Sequence, residues 1–303
     1  MYTNTLLTKL IHDPDPAQPI VEYLVNHLEP LIELENLALS YEKVEDQFLS
    51  FEKWLHEAWG TGFYQNLTDK EHGWALNLAF KIAAEKNTNL LICDGFSLRE
   101  LLVLKNKFGE GLSYNVARAP APTTTQYVSK KIFGLPNLKE AITGDKLIEG
   151  KIWKGEVVED ITLPPRIGNQ RGLVFLTQYP DTPLHGARSH RTTQVQDVSN
   201  ILNQILRLIE VLAQNIPLTV TGDHGYIYLG TNPQRFLWIP SKRQERFDGE
   251  YGENKLKIEG KNVAVGRYHS NVGPGSNTFI THGGVSLTES LVPIVTIEKG
   301  EKS

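Results

Sequence analysis

The chain has 303 residues, of which 40% are hydrophobic, and a formal net charge of −4, which is ordinary for one large or two modest globular domains. Its single cysteine, Cys93, excludes an internal disulfide, and no apolar run approaches the roughly 20 residues of a membrane span. The N-terminus lacks the pattern of a signal peptide, so we expect a cytoplasmic protein. Because the chain is mildly acidic, any contact with nucleic acid would depend on a local basic patch.

Residues 1–87 have the pattern of a helical N-terminal module. Three prolines between residues 14 and 19 separate a short first helix from a second, and a later helix is predicted to begin at a capping box of Thr68 and Glu71. Between them, large apolar residues recur at helical spacing: Val44, Phe48, Phe51, Leu55 and Trp59. This stripe is typical of core packing, and the alternative is a partner surface.

An acid ends the first predicted strand. The apolar run 90–93 leads to Asp94 and Gly95, and such a run suits a strand that is buried on both faces of a parallel sheet. Ser97 and Glu100 have capping-box spacing, which predicts a helix directly after the strand. Ligands gather at the carboxyl ends of strands in open α/β sheets, so Asp94 is a candidate metal ligand. The alternative is an ordinary Asp-Gly turn.

Three successive threonines follow the second predicted strand, which covers residues 114–117. Pro120 and Pro122 impose an extended backbone on the approach to the threonines at 123–125. A helical pattern begins just beyond, so a threonine hydroxyl and free backbone N–H groups would meet at a helix N-terminus. This arrangement suits a phosphate, but without other support an ordinary helix cap explains it better.

Asp181 and His185 follow the predicted buried strand 172–176. On a loop, an acid and an imidazole at this spacing can reach one cation together. His190 is a reserve ligand, although its two arginine neighbours suit anion binding better. The pair alone is weak evidence for a site.

Asp223 and His224 end a further predicted strand, 218–221. Flanking glycines leave this pair on a backbone that is expected to be free to bend, and the pair offers two ligands. His282 precedes another helix or turn. All three side chains therefore join the candidate ligands.

The remaining segments carry less chemistry. A strong helical pattern covers 192–215, and an apolar run predicts a last strand over 291–297. Two irregular or charged segments, at about 138–170 and 240–275, are predicted to be insertions rather than layers of the core.

Six side chains thus fall at or just beyond predicted strand ends, together with a threonine at a helix start. Converging charged groups would repel each other or be poorly solvated unless a cation paired with them. We therefore predict a metal centre formed by these acids and histidines: Asp94, Asp181, His185, Asp223, His224 and His282.

The order of these motifs, Asp-Gly, Pro-x-x-Thr, Asp-x-x-x-His, Asp-His-Gly and Thr-His-Gly-Gly, resembles that of the alkaline phosphatase superfamily. Within it, residues 122–127 (Pro-Thr-Thr-Thr-Gln-Tyr) and 281–289 (Thr-His-Gly-Gly-Val-Ser-Leu-Thr-Glu) are most similar to PglZ-type domains. Such domains occur in bacterial phage-defence (BREX) systems and as outputs of some response regulators. The resemblance covers about residues 88–298. It implies an α/β domain over 88–303, in which helices sandwich a mostly parallel sheet.

The resemblance also implies two divalent metal ions and a threonine nucleophile. Thr125 is chosen over its neighbours because the nucleophile of the superfamily falls three residues after the proline. The arginine that often follows Asp-Gly in PglZ domains is displaced here to Arg99. The implied ligands of one ion are Asp94, Thr125, Asp223 and His224, and those of the other are Asp181, His185 and His282.

The implied activity is phosphoester hydrolysis, with nucleotide or oligonucleotide diesters as the expected substrates. Zinc fits the Asp and His ligands best, and manganese also suits this share of carboxylates. One alternative is a catalytically quiet metal-binding scaffold in a defence or signalling assembly. The other is a nucleic-acid-binding module whose phosphate contacts would come from basic residues: Arg235, Lys242, Arg243 and Arg246.

Overall fold

The computed structural model describes most of the chain. The described residues are 6, 8–10, 13, 15–69, 73–165, 168–186, 195–230, 232–242, 244–248, 254–270 and 278–298.

Eleven strands lie in the described part of the chain. They are β1 (Asn89–Asp94), β2 (Leu112–Arg118), β3 (Gly144–Ile148), β4 (Lys151–Val157), β5 (Leu173–Pro180), β6 (Leu218–Gly222), β7 (Ile227–Tyr228), β8 (Lys255–Ile258), β9 (Lys261–Ala264), β10 (Ile280–Thr281) and β11 (Leu291–Ile297). The five predicted strands correspond to β1, β2, β5, β6 and β11, which confirms them.

Seven strands form the central sheet, in the order β2-β11-β6-β1-β5-β4-β3. The four strands β6, β1, β5 and β4 run parallel. β11 is antiparallel to both of its neighbours, and β3 is antiparallel to β4. Two small antiparallel pairs, β7 with β10 and β8 with β9, lie outside this sheet. The predicted α/β class with a mostly parallel sheet is confirmed, while the alkaline-phosphatase-like identity stays a prediction.

Helices cover both faces of the sheet. They are α1 (Ala17–Leu28), α2 (Leu37–Trp59), α3 (Thr61–Leu67), α4 (Ala75–Glu85), α5 (Leu98–Phe108), α6 (Thr125–Phe133), α7 (Leu138–Ile142), α8 (Asp181–Gly186), α9 (Val195–Ala213) and α10 (Leu287–Ser290). Side chains of β1 alternate between two hydrophobic clusters, with Leu91 and Cys93 facing α5 and α9 and Leu90 and Ile92 facing α4. No helix of the described residues is long and apolar enough to cross a membrane.

The N-terminal helices pack directly on the sheet. The predicted stripe of α2 is buried from Val44 to Leu55, which confirms its core role, whereas Trp59 is 42% exposed. α1 and α2 share one hydrophobic cluster with β1 and β6. The helix predicted to begin at Thr68 begins instead at Ala75, because Thr68 follows the end of α3. The division of the chain at residue 88 stays a prediction.

The segment at 138–170 differs from the predicted insertion. It forms α7 and the hairpin β3-β4, and β4 pairs in parallel with β5, so the segment extends the central sheet. Trp153 is 1% exposed and packs edge-on against Phe80, with ring centroids 5.6 Å apart. Buried and exposed residues alternate around Trp153, as in a strand that is covered on one face only. Nearby prolines and charged residues conceal this pattern in the sequence.

The segment at 240–275 is likewise more than a surface insertion. It contains the hairpin β8-β9 and, on either side of it, buried side chains that include Arg246 and Arg267. Arg246 is 4% exposed and pairs with Glu289, while Arg235 pairs with Asp46. Arg246 therefore cannot contact nucleic-acid phosphates as the basic-patch alternative requires. Arg243 lies outside the described residues.

Candidate metal centre

Three neighbouring strands deliver acids to one edge of the sheet. β1 lies between β5 and β6 and is parallel to both. Asp94 is the last residue of β1, Asp181 directly follows β5, and Asp223 follows β6. The carboxyl ends of parallel strands meet at one edge, so the three carboxylates converge there. Asp181 does not lie on a loop as predicted; it begins the short helix α8, which carries His185 one turn later.

The first cluster consists of Asp94, Asp223 and His224, whose potential ligand atoms lie within 4.8 Å of one another. His224 Nε2 is 3.7 Å from Asp94 Oδ1 and 3.7 Å from Asp223 Oδ2. Thr125 Oγ1 joins this cluster: it donates a hydrogen bond of 3.0 Å to Asp94 Oδ1 and lies 3.2 Å from His224 Nε2. These four residues could hold one metal ion.

The second cluster consists of Asp181, His185 and His282. Asp181 Oδ1 lies 3.3 Å from the Nε2 atoms of both histidines. The aromatic rings of His282 and His224 stack, with centroids 4.4 Å apart and an interplanar angle of 23°. The two clusters are therefore neighbours within one centre.

Hydrogen bonds fix the orientation of the three histidine rings. His224 Nδ1 bonds the Gly225 carbonyl oxygen at 2.9 Å, and His282 Nδ1 bonds the Thr123 carbonyl oxygen at 2.9 Å. A carbonyl oxygen only accepts, so each Nδ1 carries the proton and each Nε2 presents a lone pair. His185 Nδ1 lies 3.5 Å from the Thr278 hydroxyl. Backbone support of the distal ring nitrogen is typical of metal-binding histidines.

Two carboxylate oxygens in the centre lack a hydrogen-bond donor. They are Asp223 Oδ2 in the first cluster and Asp181 Oδ1 in the second, and both are buried. When His282 is neutral, its Nε2 lone pair faces Asp181 Oδ1 at 3.3 Å, so this ring donates no hydrogen bond to that oxygen. A buried, unpaired anionic oxygen is costly unless a cation neutralises it. The residues therefore fit one cation in each cluster.

The electrostatics agree with this geometry. Burial, followed by the charges of Asp223 and Asp181, raises the pKa of Asp94 well above its usual value. Burial lowers the pKa of His224, which keeps it neutral as a ligand must be. Burial also opposes a charge on His282, but the Asp181 carboxylate raises its pKa to about 9. In the protein without an ion, a proton on His282 thus supplies the positive charge that Asp181 needs.

The three successive threonines have three separate positions. Thr124 caps α6, because its side chain accepts from the Tyr127 N–H. Thr125, the first residue of α6, faces the first cluster. Thr123 is fully buried; its hydroxyl donates to the Gly284 carbonyl and accepts from the Gly283 N–H, both at 3.0 Å. Thr124 therefore caps the helix, and Thr125 supplies the hydroxyl that faces the first cluster.

Glu289 is a supporting residue that the sequence analysis missed. Its carboxylate accepts the Gly284 N–H at 3.0 Å and pairs with the buried guanidinium of Arg246. This pair lies under the loop that carries His282 and holds its backbone. The signal was present in the sequence, because Glu289 belongs to the motif over 281–289, but no local pattern indicates that it is buried.

Two glycines hold the loop after β6 in place. A Cβ on Gly222 would lie 2.6 Å from Cβ of Phe96, and one on Gly225 would lie 2.1 Å from the Thr288 carbonyl oxygen. Both glycines thus permit close packing, and the loop between them is fixed rather than free to bend as predicted.

Two further histidines, the reserve ligand His190 and His269, do not add to the centre. His190 and its two arginine neighbours lie outside the described residues. His269 is 8% exposed and belongs to neither cluster.

No family model matches this chain, and a search of curated proteins finds no match either.

Proposed function

We propose that the protein is a two-metal phosphoester hydrolase that uses Thr125 as its nucleophile. The position of Thr125 Oγ1, 3.0 Å from Asp94 Oδ1 and 3.2 Å from His224 Nε2, carries the proposal. A hydroxyl at this distance from two potential metal ligands shares their cation, and a second cation site adjoins it. Hydrolysis of phosphodiesters in nucleotides or oligonucleotides is the activity that we favour.

One ion would be held by Asp94, Thr125, Asp223 and His224, and the other by Asp181, His185 and His282. When bound, such ions lower the pKa of a hydroxyl or water and stabilise the oxygen that leaves phosphorus. Imidazole and carboxylate ligands suit zinc best, and manganese also suits them. The sheet and the motif order support an alkaline-phosphatase-like fold of the PglZ type, with partners in phage defence or signalling.

Each step of the reaction can be assigned to residues of the chain. Thr125 Oγ1 attacks phosphorus, the bond to the ester oxygen opposite it breaks, and that oxygen leaves with the electron pair and takes a proton from solvent to become the alcohol. The hydroxyl proton passes to Asp94, to which it is already hydrogen-bonded. Water then attacks the phosphothreonine, and the Thr125 oxygen regains the proton held on Asp94. The product leaves with the oxygen of water, whose proton passes to solvent.

Hydrolysis of bis-p-nitrophenyl phosphate and p-nitrophenyl phosphate tests this function. We expect turnover with added zinc or manganese, none with chelator, and a loss to background in Thr125→Ala even at metal concentrations that fill both clusters. Thr124→Ser is the matched control, because it retains the hydroxyl that caps α6 and should keep its activity.

Activity that persists in Thr125→Ala would contradict the assigned nucleophile. Metal binding by the wild-type chain without turnover of either ester would favour the scaffold alternative.

A further inference from the structure

A cleft opens beside Thr125 on the sheet edge that carries the metal centre. Its volume is about 650 Å³, and Asp94 and Thr125 are among the residues that line it. The other walls are the segment 136–139 before and within α7, and the ends of β4 and β5. Cavities of about 300–1,000 Å³ are typical sites for ligands of drug or nucleoside size. A phosphate group alone would leave most of this space empty.

The described walls of the cleft are polar but carry almost no free charge. Two exposed amides, Gln126 and Gln178, offer both donors and acceptors, and a third, Asn137, caps α7 with its oxygen and offers its NH₂ group. The one lysine and the one glutamate that line it, Lys139 and Glu159, form an ion pair at 2.7 Å.

Part of the lining is apolar. It consists of three aliphatic side chains: Leu138, Val157 and Leu176. Amides together with aliphatic side chains suit a neutral group with a flat face and hydrogen-bonding edges, such as a nucleoside. A chain of further phosphates would require unpaired cations instead.

The direction of attack decides which part of a substrate enters the cleft. In an in-line displacement, the leaving oxygen lies opposite the attacking Thr125 oxygen. A cleft lined by Thr125 is on the side of the nucleophile, away from the leaving group. On that side it can hold a substituent that stays on phosphorus, which in a monoester is only an oxygen atom. A diester substrate would fill this space, and a monoester would leave it empty.

We propose that this cleft binds the nucleoside that remains attached to phosphorus in a phosphodiester substrate, and that Gln178 at the end of β5 contributes to its recognition. This inference depends on the proposed function. It makes the products a nucleoside monophosphate and a free alcohol, and it makes Gln178 a specificity-determining residue.

Two chromogenic diesters with the same leaving group test the proposal: the p-nitrophenyl ester of thymidine monophosphate and methyl p-nitrophenyl phosphate. The wild-type protein, loaded with zinc or manganese, should prefer the nucleoside ester by at least about tenfold in kcat/KM, because the cleft contacts only that ester. Gln178→Ala should reduce this preference by about fivefold, as expected for the loss of one hydrogen bond. Val157→Phe, which narrows the cleft, should reduce it by at least about tenfold.

Gln170→Ala is the matched control, since Gln170 is equally exposed but precedes β5 at the opposite edge of the sheet. It should leave the preference unchanged. Turnover of both esters at similar kcat/KM would overturn the inference and leave the proposed function intact.

If neither ester is hydrolysed, the proposed function fails, and calorimetric titration with thymidine monophosphate tests the cleft separately. Binding that Val157→Phe weakens and Gln170→Ala does not would support the site, and binding insensitive to Val157→Phe would overturn it.

Discussion

Two groups of buried charges in this molecule are neutralised in different ways. The first, which we call the arginine network, consists of Glu45 and Glu52 of α2, Arg99 of α5, and Arg267. Glu45 bonds both arginines, and Glu52 accepts from Arg267 Nε at 2.8 Å and from the Leu287 N–H at 2.7 Å. All four carboxylate oxygens thus have donors, and two positive charges balance two negative charges. Among the described residues, Arg99 Nε and Arg267 Nη2 have no hydrogen-bond partner, but the network balances its own charges without any ligand.

The metal centre has the opposite balance. Its three carboxylates, Asp94, Asp181 and Asp223, have only histidines as cationic partners among the described residues, and two of their buried oxygens lack a donor. A proton on His282 offsets the charge of Asp181 alone, and neutral His224 offers none to Asp94 and Asp223. A structural group of charges thus differs from a binding site: the first contains its own counter-charges, and the second gains them when a cation binds.

Removal of one arginine from the network should have the largest effect. Arg267→Met leaves Glu45 and Glu52 buried without a full set of partners, so the free energy of unfolding should fall by about 3–5 kcal/mol. Urea denaturation in the presence of chelator measures it. Arg235→Met removes the exposed pair with Asp46 and should cost less than about 1 kcal/mol. Equal losses of unfolding free energy in the two variants would show that the buried network contributes no more to stability than the exposed pair.

Removal of one acid from the centre should have the opposite consequence for stability. Asp223→Asn keeps the shape and the acceptor for the Gly95 and His224 N–H groups, but removes one of three crowded charges. The protein without metal should therefore be as stable as the wild type or more so, by up to about 1 kcal/mol. The loss of a direct ligand should lower metal affinity at this cluster and turnover by more than about a hundredfold.

Calorimetric titration with zinc and denaturation in chelator separate these two effects. A large loss of stability in metal-free Asp223→Asn would place the centre in the same structural class as the arginine network.

The sequence predicted the centre better than the network for a physical reason. A strand buried on both faces of a parallel sheet requires a continuous apolar run, so an acid at its end, such as Asp94 after residues 90–93, is visible locally. The charges of the network come from positions 54 and 222 residues apart. Their spacing on α2 resembles that of an exposed helix face, and only the packing of α2 on the sheet buries them. The sequence also concealed the edge strand β3 and its neighbour β4, because charged residues interrupt their apolar positions and leave no continuous apolar run.

His269 adds a third way to bury a charge-bearing group, which is to lose its proton. Burial, together with the nearby Arg246, lowers the pKa of His269 to about 4. The unfolded chain binds this proton at about pH 6.5, so stability that is present above that pH should be lost as the pH falls toward 4. Between about pH 7.5 and pH 5 the wild type should lose about 2 kcal/mol more than His269→Gln. Parallel pH profiles of the two proteins would refute the assignment.

Thr123 tests whether neutral contacts also determine how well the centre takes up an ion. Thr123→Val preserves the buried shape but removes the two hydrogen bonds to the loop over residues 283–284, which follows His282. The second cluster should lose about tenfold in metal affinity, as is typical when a residue that orients a ligand is removed, while the first cluster keeps its affinity.

Thr124→Val is the neighbouring control: it removes the cap of α6 and should cost about 1 kcal/mol of stability with little change in the metal affinity of the second cluster. Titration with zinc resolves the two sites if their affinities separate in this way. If instead both clusters weaken equally in Thr123→Val, the two histidine-rich halves act as one rigid unit, and the stacked rings of His224 and His282 transmit the change between them.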